Sequence, residues 1–91
     1  MADLSTTWNR HANDVVTNNI ASLMGDFSPA AMGKVMAIAA KPIVAQTFEV
    51  KPINENEVEI TYVGAENRVI YSKWEDTGGK WQITDLADRT A

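Results

Sequence analysis

Apolar side chains recur every three to four residues up to about Ala40 and every second residue after it. That change of period divides the chain into a helical half and a stranded half. In the first half Trp8, Ala12, Val15 and Val16 follow Ser5, a candidate N-cap, at helical spacing. Arg10 and Asp14 stand one turn apart beside that stripe and can pair. Asn18-Asn19 ends the helix, because asparagine tolerates the left-handed backbone. A short second helix follows, expected to bury Ile20, Leu23 and Met24 before Gly25 closes it. Ser28 then caps and Pro29 opens a third helix, with Met32, Val35, Met36 and Ala39 as its stripe. Lys41-Pro42 stops it.

From Ile43 the alternation is strand-like. Val44, Phe48 and Val50 form one face of a first strand, and Val58, Ile60 and Tyr62 one face of a second. Ile70 and Trp74 share a face of a third strand, with Val69 and Tyr71 on its other side, and Trp81 and Ile83 alternate in a fourth. The links Pro52 to Asn56, Gly64 to Asn67 and Asp76 to Gly79 are short and turn-rich, which predicts hairpins and an antiparallel meander. The expected architecture is one α+β domain over residues 1–91, with N-terminal helices packed on a curved four-stranded antiparallel sheet. The third strand is apolar on both sides, so its second face needs cover, most simply from a homodimer formed sheet against sheet.

Composition narrows the setting. Ninety-one residues with 45% hydrophobic and 22% charged side chains suit a single globular core. The chain has no cysteine, which excludes disulfides and thiolate metal sites, and its one histidine leaves no metal-ligating cluster. The net charge is −4, and the acidic surplus falls in the stranded half, so no nucleic-acid partner is expected. No signal segment or membrane span is evident, which makes a cytoplasmic protein the expectation.

Two runs carry a family resemblance. Asn19-Ile20-Ala21-Ser22-Leu23-Met24-Gly25-Asp26-Phe27-Ser28-Pro29 resembles the end of the N-terminal helical pair in the nuclear transport factor 2-like (cystatin-like) superfamily. Lys73-Trp74-Glu75, followed by Gly79-Lys80-Trp81-Gln82-Ile83-Thr84-Asp85, is similar to its last hairpin. The resemblance implies a cone, in which a bent antiparallel sheet wraps a long helix around a pocket, and often a homodimer through the outer sheet face. The superfamily includes isomerases, dehydratases, cyclases and epoxide hydrolases beside non-catalytic binding modules, so it implies a shape and leaves the chemistry open. In one respect the chain departs from the pattern. Phe27 runs straight into Ser28-Pro29 where typical members place a strand pair, so a shortened wall and a reduced pocket are expected.

Several residues could carry chemistry. His11 can act as a general base oriented by Asp14, although such a pair on a helix flank is more often structural. Asp85 continues the face of Trp81 and Ile83, so strict alternation points it inward, where an apolar surrounding would raise its pKa and let it shuttle a proton. Some superfamily enzymes use an acidic residue reaching into the cone. Tyr62 and Tyr71 can offer hydroxyls, with Tyr71 assisting Asp85, and Trp8, Tyr62, Trp74 and Trp81 can line a cavity, although aromatics at such spacing are more often core. No motif calls for a cofactor. Two functions follow. The first is a small ligand-binding or protein-interaction domain, homodimeric and without established catalysis. The second is a cofactor-free isomerase, dehydratase or hydrolase acting on a small apolar substrate, with Asp85 as acid/base.

Overall fold

The computed structural model describes residues 3–90. Helix α1 covers Leu4–Val16 and α2 Ile20–Met24, and a 3-10 turn at Pro29–Ala31 leads into α3, Met32–Ala39. Strands β1 (Thr47–Pro52), β2 (Glu57–Val63), β3 (Arg68–Asp76) and β4 (Trp81–Asp88) follow. They pair in chain order as one antiparallel sheet, the expected meander. Glycines at 78 and 79 turn the last hairpin with φ of 75° and 88°, a region that suits a residue without Cβ. No described helix is long and apolar enough to cross a membrane.

The core forms where α1 crosses the inner sheet face. Leu4, Trp8 and Ala12 of α1 pack with Val58, Ile60 and Tyr62 of β2, Ile70 and Trp74 of β3, and Ile83 and Leu86 of β4. The period-two pattern of β2 is followed throughout: Val58, Ile60 and Tyr62 are buried and their neighbours half-buried.

The helical half differs from expectation at its edges. The N-cap of α1 is Asp3, whose carbonyl accepts from Thr7 N at 3.0 Å, and Ser5 lies inside the helix. Asn18 takes the left-handed conformation (φ 59°), and the Asn19 side chain caps α2 by accepting from Ser22 N. Ile20 and Met24, expected to be buried, are 55% and 53% exposed. Likewise Met36 is 71% exposed, and Val35 and Ile38 provide the inward contacts of α3. Both helices sit on the rim of the sheet, where one side of a short helix meets solvent.

β1 starts at Thr47, not near Ile43. Residues 41–46 run without regular structure and are tied down by Arg68, which donates to the Lys41 carbonyl at 2.8 Å. Gly64 passes so close to this segment that a Cβ there would lie 2.4 Å from the Val44 carbonyl oxygen.

On the outer sheet face, Tyr71 finds cover within the chain. Its hydroxyl donates to Glu57, and the Arg89 guanidinium lies 4.0 Å above its ring. The Arg89 side chain is held in turn by Glu59 at 2.9 Å.

One irregularity decides which side chains of β4 face inward. Ile83 pairs with Trp74, but Asp85 pairs with the next residue along, Lys73, so Thr84 is an extra residue in a β-bulge. Ile83 and Leu86 are therefore both buried, and Asp85 turns outward.

Candidate functional site

Between α1, the two rim helices and the inner sheet face lies a cavity of about 380 Å³. His11 and Val15 of α1 form one wall, and Ile20, Leu23 and Met24 of α2 form the roof. Val35 and Ile38 of α3 close one side, while Tyr62, Ile70 and Leu86 form the sheet wall. No strand stands between α2 and the 3-10 turn at Pro29–Ala31. Residues 26–28 add to the edge of β4 instead: Ile83 N donates to the Asp26 carbonyl at 2.7 Å, and both Ser28 N and Ser28 Oγ donate to the Ile83 carbonyl. The Ser28 hydroxyl is therefore committed to the sheet and makes no helix cap. This edge contact places α2 and α3 on opposite sides of one opening.

The same contact carries Asp26 to His11. The two are far apart in sequence, but His11 Nδ1 lies 2.8 Å from Asp26 Oδ2. Arg10 grips the same carboxylate with both terminal nitrogens, at 2.5 Å to Oδ1 and 3.2 Å to Oδ2. Burial pushes the Asp26 carboxyl up, but the hydrogen bonds from His11 and Arg10 outweigh it and hold the group below the usual carboxylate range. The His11 ring meets Trp74 edge-on at 5.3 Å between centroids and Phe27 at 5.7 Å. Aromatic walls and a bonded Nδ1 thus fix the ring, which is 5% exposed and lines the cavity.

Asp14, expected to orient His11, does something else. It accepts from Arg10 at 2.7 Å and from Ser22 Oγ at 2.6 Å, which ties α1 to α2. The partner of His11 is Asp26. An acid placed between a helix end and Ser28-Pro29 carries no periodic signal, so sequence reasoning had no means of giving it this role.

The other candidate residues scatter. Asp85 lies at the surface, paired with Lys34, and its side chain is 43% exposed. The Lys34 ammonium and the Leu86 backbone N–H hold its carboxyl below the usual range, the reverse of the raised pKa that an inward position would bring. Tyr71 is on the outer face, where burial and the Glu57 carboxylate push its hydroxyl up to about 12. The structure therefore does not bring Asp85, Tyr71 and His11 together. Tyr62 does line the cavity, and burial pushes its hydroxyl well up. Trp8 and Trp74 belong to the core, the latter donating from Nε1 to Ser72 Oγ at 2.9 Å. Trp81 packs on the edge of that core. Among the described residues, no tryptophan lines the cavity and no cluster of three or more His, Cys, Asp or Glu side chains could hold a metal ion.

No model of a known protein family matches the chain, and no curated protein or solved structure matches it either.

Proposed function

We propose that the chain is a small-molecule-binding domain of nuclear transport factor 2-like shape, whose cavity takes a compact and mainly apolar ligand. The observation that carries this reading is an apolar cavity of about 380 Å³ with one fixed imidazole in its wall. That volume lies at the lower end of ordinary ligand sites, which combine apolar walls with a few placed polar groups. His11 and Tyr62 are such groups here, and the walls of Val15, Leu23, Ile38, Ile70 and Leu86 supply the apolar surface. The order of the elements, helices first and a meander wrapped on α1 afterwards, supports the shape. The opening beside α2 gives access, since Ile20 and Met24 both line the cavity and meet solvent.

Titration with naphthalene, followed by methyl NMR, tests this reading. Saturable shifts are expected at Val35, Ile38, Ile70 and Leu86, and they should vanish when Ile38→Trp fills the space. Shifts that do not saturate at those methyls, or that survive the filling substitution, would overturn it.

A further inference from the structure

We propose that His11 is a general base, whose Nε2 removes a proton from an uncharged apolar carbon acid bound in the cavity, with Asp26 and Arg10 as positioning residues behind it. The proposal rests on the binding reading above and adds a reaction to it.

The argument begins at Asp26. With Arg10 on both of its oxygens, this carboxylate is ionised and can only accept hydrogen bonds. The 2.8 Å contact to His11 therefore requires the imidazole proton on Nδ1. In the neutral imidazole Nε2 then carries the lone pair, and among the described residues the ring's hydrogen bond is the one from Nδ1. The ring is buried and wedged between Trp74 and Phe27, so it cannot swing away from the cavity it lines. A base, an orienting carboxylate and an apolar recess are parts that general-base catalysis uses.

The surroundings restrict what can be deprotonated. Arg10, which shares Asp26 with His11, is occupied by Asp26, Asp14 and Ser22, and among the described residues no lysine or arginine lines the cavity to hold an anionic substrate. Among the described residues Tyr62 is the one other titratable side chain in the cavity wall, and burial keeps its hydroxyl protonated as a neutral donor. An uncharged molecule with a C–H made acidic by a neighbouring electron-withdrawing group fits this set. Nε2 takes the proton, the C–H electron pair moves into the substrate, and the imidazolium formed is stabilised by Asp26.

The test uses a nitro-substituted benzisoxazole as the probe. In its base-promoted opening, His11 Nε2 takes the ring C–H proton. The C–H electrons complete a nitrile, the N–O bond breaks, and the oxygen leaves as a coloured phenolate. The imidazolium then gives its proton to water. His11→Gln should lower the rate by about 100-fold or more, the usual reach of a positioned base. Probe binding is read separately at the cavity methyls, so that loss of the base is distinguished from loss of the ligand. Asp26→Asn should lower turnover comparably, because the amide donates to Nδ1 and forces the proton onto Nε2. His11 is the only histidine, so nitrogen NMR of the imidazole reads its tautomer directly even if Asp26→Asn fails to fold. A wild-type spectrum with the proton on Nε2 would overturn the proposal. So would a bound probe that turns over no faster than in His11→Gln, an outcome that leaves the binding reading intact. A probe that does not bind at all removes both.

Discussion

Arg68 Nη2 lies 2.7 Å from Asp88 Oδ2, and the same guanidinium, 4% exposed, reaches across to the Lys41 carbonyl. One buried side chain thus joins the start of β3 to the end of β4 and to the loop that precedes β1. Replacing it by Ala strips the Lys41 carbonyl of this donor and leaves Asp88 with Thr90 alone, and the chain should lose about 3 kcal/mol of stability. Urea unfolding of Arg68→Ala at neutral pH checks the figure.

Asp88 gives this junction a pH dependence. The Thr90 hydroxyl, the Thr90 N–H and Arg68 together hold its carboxyl at about 2, against roughly 3.9 for an unfolded aspartate. A depressed carboxylate contributes stability at pH values above the unfolded value and loses that contribution as pH falls toward the folded one. The stability difference between wild type and Asp88→Asn should therefore be constant above about pH 5 and shrink between about pH 4 and pH 2. Denaturation midpoints measured across that window decide the point, and a difference that grows on acidification would contradict it.

Gly64 is required by its distance from Val44. A Cβ at 2.4 Å from a backbone carbonyl oxygen cannot be relieved by a side-chain rotation, so the loop or the β2 end must shift. Gly64→Ala should cost about 2 kcal/mol, in the range of overpacking substitutions. Gly33→Ala, where a Cβ would meet nothing within 4 Å, should instead be neutral or stabilising. Thermal melts of the two variants side by side provide the comparison.

Asp85 and Ile83 are expected to behave as opposites although they are two positions apart on β4. Asp85→Asn removes an exposed partner of Lys34 and should change stability by no more than about 0.5 kcal/mol. Ile83→Ala empties a fully buried site and should cost about 3 kcal/mol. A large loss at Asp85, in stability or in any activity that the His11 site proves to have, would contradict its outward turn beyond the bulge at Thr84.

That bulge also marks where the sequence stopped being readable. Val58, Ile60 and Tyr62 alternate without interruption, so their faces are legible in the sequence alone, as are the three hairpins. β4 alternates only as far as Ile83. Thr84 is one residue too many for its partner strand, and every face assigned beyond it inverts. Nothing in Ile83-Thr84-Asp85-Leu86 signals the insertion. Ser28-Pro29 was equally visible as a helix start, yet the Ser28 hydroxyl serves the Ile83 carbonyl, a partner 55 positions away. The candidate site fared the same way. His11 and Tyr62 could be picked out by residue type, whereas Asp26 became meaningful only when the edge of β4 brought it beneath α1.

The five residues of α2 include none that is buried, and they form the roof of the cavity. Their attachment to the rest of the protein is mostly polar, through Asp14, Ser22 and Asn19, and such segments are the first to open in native-state fluctuations. A bound apolar molecule would supply Ile20, Leu23 and Met24 with the contacts that the polypeptide itself withholds. Occupancy should consequently be felt as a local tightening, with slower amide exchange over residues 20–24 and hardly any change in the strands. The guest would complete a wall that the host leaves unfinished.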